Sequence, residues 1–221
     1  MHRDCKQRSG VMLSGRGNAL LLGGLLLGGC VHSGAVWDAN FTARDRRELA
    51  NPPYKQAWLN PLKYQRQVVQ YDRKEAPGSI LVDTDARYVY FVLPEGKAIR
   101  YGAVVGEDGQ APSGVATVGR KEEWPGWTPT EDEKRRLGPL PNYLEGGAHN
   151  PMGARALYLY ASGKDTLYRI HGTNNPALIG QANSSGCIRL TNEDVIDLYS
   201  RVKMGARVVL LGPGPRVASA N

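Results

Sequence analysis

TLYRIHGTNNPALIGQANSSGCIRL, residues 166–190, joins a short strand-like run to a glycine- and asparagine-rich loop that ends on a cysteine. Alternation along a strand puts Leu167, Arg169 and His171 on one face and Tyr168 and Ile170 on the other. His171 therefore stands at a strand end, where the chain opens into a loop. Sixteen residues on, SSGC presents Cys187 behind Gly186, whose missing Cβ lets backbone approach whatever reacts at the thiol. A thiol needs a base to become a good nucleophile, and His171 is the nearest in sequence. Spacing alone leaves the bland reading open, because a buried cysteine is commonly inert packing. Zinc fits less well: Cys187, His149 and His171 are the only N or S ligands of this region, and a structural zinc site wants four.

Outward from this stretch the chain is a series of short apolar runs separated by turns. SILVDT (79–84), RYVYFVL (87–93), KAIRYGAVVG (97–106), GVATVGRKEEW (114–124), ALYLYA (156–161), TLYRIHG (166–172) and ARVVLLG (206–212) are rich in Val, Ile and Tyr. Seven short strands predict a mainly β fold, a sandwich or barrel. One helix is predicted, over 192–202 just after the cysteine loop. Thr191 or Asn192 caps it, Glu193 and Asp194 favour its positive end, and Val195, Leu198, Tyr199 and Val202 form a core-facing stripe. Residues 124–153 are long and irregular for a compact domain, which marks a lid, a binding loop or disorder. There Trp124 and Trp127 either wall a cleft or anchor the loop, and His149 reads as exposed.

With 221 residues, 41% apolar and 22% charged, the chain suits one domain plus a tail and is neither disordered nor collagen-like. Three cysteines exclude a disulfide scaffold, so each needs its own account. Residues 1–16 carry Arg3, Lys6, Arg8 and Arg16 against Asp4, and 19–29 read ALLLGGLLLGG, too short to span a bilayer. This is a secretory signal pattern, with Met12 as an alternative start that would leave Cys5 untranslated. LGGC at 27–30 resembles a bacterial lipobox, which makes Cys30 the lipidated residue and 1–29 the signal peptide; an ordinary signal peptide that happens to contain a cysteine is the alternative.

Cleavage before Cys30 leaves 192 residues and a net charge of +4 out of +7, so much of the basic excess is export signal and nucleic acid is a poor partner. Residues 30–77, with Pro52, Pro53, Pro61, Pro77 and one helix-like patch at 43–50, read as a tether with a reach of roughly 40 Å. The domain then spans 78–212, and 213–221 is a flexible tail. Cys187 is left as the single free thiol of an exported chain.

IHGTNNP followed by IGQANSSGCIRLTNEDVIDLY resembles the signature of bacterial L,D-transpeptidases, cysteine enzymes that cross-link peptidoglycan. KEAPGSILVDTDARYVYFV, GKAIRYGAVVGEDG, SGVATVGRKEEWPGWTP and GGAHNPMGARALYLY extend the resemblance over about residues 73–212. It implies that Cys187 is the nucleophile and His171 its base, that the Gly172 carbonyl holds the other imidazole nitrogen, and that the N–H groups of Gly186 and Cys187 form an oxyanion hole. Arg189 would support the loop or meet a substrate carboxylate, and Ser185, Thr173 and Asn174 would line the donor site; Thr173 and Asn174 also fit a role in shaping the turn.

Pairing with an imidazolium gains a thiol of pKa about 8.5 only about 30-fold, or roughly 2 kcal/mol, so oxyanion stabilisation has to supply more. Ser185 stands where many members have histidine, Pro112 where a large aromatic is usual, and Ala177 where the family has a bulky residue, which leaves donor specificity open.

The implied reaction needs neither metal nor cofactor. Its partners are peptidoglycan stem peptides, a stem or wall-protein lysine as acceptor, and a membrane through the lipid anchor. The same acyl-enzyme resolved by water, and a catalytically silent wall-binding lipoprotein, are the competing readings. Export implies the periplasm, and Val31 after Cys30 lacks an acidic inner-membrane retention residue, which favours the outer membrane.

Overall fold

The computed structural model describes residues 38–54, 61–107, 110 and 112–212. The segment expected to be a signal peptide, Cys30 and residues 213–221 lie outside the described residues. The strands are β1 (Gln67–Gln70), β2 (Ile80–Asp83), β3 (Tyr88–Leu93), β4 (Lys97–Gly102), β5 (Val105–Gly106), β6 (Gly114–Glu123), β7 (Arg155–Ala161), β8 (Lys164–His171), β9 (Ala182–Ser184), β10 (Ile188–Arg189) and β11 (Arg207–Leu211). The helices are α1 (Ala43–Ala50), α2 (Glu131–Leu137) and α3 (Asn192–Arg201). All seven expected strands are present, that at 97–106 broken into β4 and β5, and the mainly β expectation holds.

Nine strands form one mixed sheet in the order β1-β4-β3-β2-β11-β6-β7-β8-β10, while β5 and β9 pair separately in parallel. The large sheet rolls. Val104, on the chain leaving β4, exchanges two backbone hydrogen bonds of 2.9 and 3.0 Å with Arg189 of the far edge strand β10. Inside the roll, every second residue of the central strands is apolar: Ile80 and Val82, Val89 and Phe91, Leu157 and Leu159, Val208 and Leu210. They pack on Val195, Ile196 and Leu198 of α3 and on its C-cap Val202, each burial worth about 1.5–3 kcal/mol. A ten-residue helix is marginal in water, so this packing, with the Thr191 cap on the Asp194 N–H, is what holds α3. No described helix is long and apolar enough to cross a membrane.

The described part of the segment read as a tether is built into the domain. The α1 helix starts at a capping box between Thr42 and Asp45, and the Asp45 carboxylate is fully buried. Arg155 of β7 grips it with both terminal nitrogens, at 2.8 and 2.6 Å, and Trp124 Nε1 donates to it at 2.8 Å. Arg66 does the same further along, with ion pairs to Asp194 and Asp197 of α3, and β1 adds an edge strand beside β4. Composition misleads here because two charged residues of this segment, Asp45 and Arg66, are the buried ends of long-range pairs.

Residues 124–153 are likewise ordered. The α2 helix begins at a second capping box, Thr130 with Glu133. Trp127 and Leu144 exchange backbone bonds of 2.9 and 2.8 Å across the loop's base, and the buried Asn150 side chain donates to the carbonyls of Pro125, Leu144 and Glu145. Trp124 is an anchor rather than a cleft wall, since its ring is buried and its N–H is spent on Asp45.

Candidate active site

Parallel pairing of β10 with β8 assembles the site. Ile188 stands opposite Ile170 and Arg189 opposite His171. Both isoleucines are fully buried in the core, so Cys187, Arg189, Arg169 and His171 face the other way. Strict alternation along β8 fails one step earlier. Tyr158 pairs with Arg169 but Tyr160 with Asp165, a bulge centred on Leu167, which has φ 64° and is 75% exposed. The bulge turns the Leu167 carbonyl toward the cysteine loop, where it lies 3.9 Å from Cys187 Sγ as a weak acceptor.

The cysteine loop is held from within. Ser184 Oγ donates to the Cys187 carbonyl at 2.6 Å and accepts from the Gly186 N–H at 3.2 Å. The Gly186 N–H is thus engaged by Ser184. Gly186 also serves through its backbone. Its φ is 115°, and a Cβ there would run into the Tyr168 ring and the Gln110 carbonyl. Ser185 is half-buried beside it.

His171 is buried, and burial with the charges of Arg189 and Arg169 pushes its pKa down to about 3. The carbonyls of Gly172 and Met152 act on the ring as acceptors and oppose that shift. His171 Nδ1 is buried and without a partner among the described residues. Cys187 is half-buried, and desolvation raises its pKa above 9.0 against the pull of the Arg169 N–H and of the two arginines. The resting pair is therefore neutral thiol and neutral imidazole, not the ion pair weighed from the sequence. Both shifts disfavour a resting ion pair.

The remaining candidates divide. Arg189 is half-buried on the catalytic face, its charge felt at both His171 and Cys187. Thr173 is buried and its hydroxyl accepts from the Asn175 N–H at 3.0 Å, a turn-shaping role. Asn174 donates to the carbonyl of the exposed His149 at 2.8 Å, tying the two loops. Trp127 is half-buried at the loop base. Among the described residues no group of three or more His, Cys, Asp or Glu is placed to hold a metal ion.

Sequence reasoning passed over three contributors. Ser184 organises the cysteine loop, Arg169 lends charge while forked to Asp165 at 2.6 and 2.8 Å, and Asn192 clasps the histidine turn. The Ser-x-Gly-Cys spacing was the available signal for Ser184.

A thiol and an imidazole carried on paired strands, His171 at the end of β8 and Cys187 just before β10, are side chains of the kind that acyl transfer uses. Residues 77–210 match the model of the YkuD family, the L,D-transpeptidase catalytic domain, and the chain belongs to that family. It is 35% identical over 139 residues to ErfK/SrfK of Escherichia coli, described as a probable L,D-transpeptidase, covering 60% of this chain and 43% of that protein. YbiS of the same organism, described likewise, is 46% identical over 95 residues, covering 41% and 29%. The chain thus spans less than half the length of these relatives. An L,D-transpeptidase structure from Mycobacterium smegmatis is similar at 19% identity and a TM-score of 0.45, covering 60% of this chain and 58% of that one.

Proposed function

We propose that this chain is a peptidoglycan L,D-transpeptidase whose nucleophile is Cys187. The observation that carries the reading is the β8–β10 register, which supports a common face for Cys187, His171 and Arg189. Sulfur attacks the carbonyl that links the L-centre of meso-diaminopimelate to the terminal D-alanine of a tetrapeptide stem, and the thiol proton goes to His171. The Cys187 N–H stabilises the oxyanion, and Arg189 meets a stem carboxylate. The C–N bond breaks, His171 returns the proton to the departing D-alanine amine, and a thioester remains. An acceptor amine, from a neighbouring stem or a wall-protein lysine, attacks the thioester, gives its proton to His171 and frees the thiol. Export and lipid anchoring through Cys30 complete the proposal and place the enzyme in the periplasm, facing the wall from the outer membrane.

Incubation with disaccharide-tetrapeptide tests this. The expected result is D-alanine release, a 3→3 dimer and a mass-detectable thioester, all lost in Cys187→Ala. Dimer formation by Cys187→Ala, or no thioester in the wild type, defeats it. D-alanine release without dimer in the presence of an acceptor amine assigns the hydrolytic reading instead. Sacculus binding unchanged by Cys187→Ala, with no thiol acylation, assigns the silent wall-binding one.

A further inference from the structure

Two backbone turns flank His171: Met152–Ala154 before β7 and Gly172–Thr173 after β8. Their carbonyls at Met152 and Gly172 are the acceptors acting on the imidazole. One side chain fastens both turns. Asn192 Oδ1 accepts from the Ala154 N–H at 2.8 Å, and its Nδ2 donates to the Thr173 carbonyl at 3.1 Å. The fit leaves no slack, since a Cβ on either Gly153 or Gly172 would collide with Asn192 Oδ1. Asn192 Nδ2 has a second acceptor, the hydroxyl of Tyr54 at 2.8 Å. Tyr54 lies outside residues 77–210, on the segment that α1 and the Asp45–Arg155 pair fasten to the domain.

We propose that Tyr54 is a positioning residue for catalysis: through Asn192 it fixes the two turns whose carbonyls hold the His171 tautomer, so the segment before the family domain is part of the catalytic apparatus. The inference rests on His171 acting as the base for Cys187. Arg155 reinforces the arrangement, because its carbonyl accepts from the Gly172 N–H at 3.0 Å while its guanidinium grips Asp45. With the turns free to drift, the imidazole loses the acceptors that keep its proton on one nitrogen, and the fraction of molecules with the other ready to accept falls. Misplacement of a catalytic group by a fraction of an ångström is enough to slow a reaction several-fold.

The test uses the full chain and Tyr54→Phe, which removes one oxygen and keeps the ring. Turnover of the disaccharide-tetrapeptide is expected to fall about 3- to 10-fold in kcat with KM unchanged and Tm within about 2 °C of wild type. Nitrogen-15 NMR of labelled histidine should show one His171 tautomer in wild type and a mixture in Tyr54→Phe. In an Asn192→Ala background the same change should have no further effect on kcat. A kcat per folded molecule equal to wild type, with a single tautomer, overturns the proposal, as do additive effects of Tyr54→Phe and Asn192→Ala. Absence of a wild-type thioester defeats the transpeptidase reading, while the tautomer comparison still decides the positioning role.

Discussion

Arg189 stands opposite His171 in the pairing of β10 with β8, so a guanidinium charge bears on the imidazole proposed as the base. The cation disfavours imidazolium, and burial does so more strongly. His171 consequently stays neutral down to about pH 3, and kcat/KM should show no acid limb near 6.5 from this residue. Arg189→Gln removes a charge that lowers the pKa, so the acid limb should move upward while KM for the stem peptide rises. A pH profile of D-alanine release from about pH 2 to 8 reads both effects. An unchanged limb would show that Arg189 does not act on His171.

Gly186 and Ser184 shape the cysteine loop by different means, and their variants should separate. Gly186→Ala meets the Tyr168 ring at 2.5 Å with φ at 115°, so acyl-enzyme formation should fall by about 10²- to 10³-fold. Ser184→Ala removes the hydroxyl between the Cys187 carbonyl and the Gly186 N–H, with an expected loss of about 1–3 kcal/mol in stability. Because that change also frees the Gly186 N–H, its effect on acylation should be the smaller of the two. Thioester accumulation followed by mass spectrometry, alongside urea unfolding, ranks them.

The Asp45 carboxylate is wholly buried and forked by Arg155. Asp45→Ala leaves the buried Arg155 charge with only the Glu123 carboxylate at 3.8 Å, half-exposed, which should cost about 3–5 kcal/mol. Asp45→Ala with Arg155→Met, where neither charge remains, should recover part of that loss. A calorimetric comparison checks the order: a double variant less stable than the single would refute the uncompensated-charge account.

Asp194 is pushed the opposite way from a typical ion-paired carboxylate. Burial, with the charges of Glu193 and Asp197, raises its pKa to about 7 in spite of Arg66 at 3.4 Å. The folded state then binds more protons than the unfolded one between about pH 3.8 and 7. Its contribution is fully present below about 3.8 and is lost as pH rises through about 7. Asp194→Asn cannot lose a proton, so its stability relative to wild type should improve from pH 4.5 to pH 8. Urea midpoints at the two pH values give the sign.

These relationships also mark where the sequence was readable. Val- and Ile-rich runs such as ILVD and RVVLL identified strands because interior strands are apolar along most of their length. β9 and β10, at three and two residues, are too short for any period to register, although they carry the cysteine loop. The Thr130–Glu133 capping box was a legible local signal for α2 inside a stretch read as irregular. Asp45 and Tyr54 were not legible, since their partners Arg155 and Asn192 lie over a hundred residues away and a proline-rich polar segment reads as solvated. Cys187 and His171 were singled out from loop chemistry and family resemblance; the direction of their pKa shifts was not legible, because it depends on burial that only the folded sheet supplies.

Glu133 extends this electrostatic pattern to the long loop. Its charge raises the Cys187 pKa from the first turn of α2, where its carboxylate also accepts from the Thr130 N–H at 2.8 Å. Glu133→Gln keeps a capping-box acceptor, so α2 should persist while the negative charge disappears. The thiol should then ionise at lower pH, and alkylation by iodoacetamide at pH 7.5 should accelerate roughly twofold, the modest size fitting a solvent-screened carboxylate. Raising the salt concentration to 1 M should erase the difference between variant and wild type, since screening removes the charge effect that the substitution removes chemically. A faster rate that persists in high salt would instead mean that the substitution has loosened the loop over the thiol.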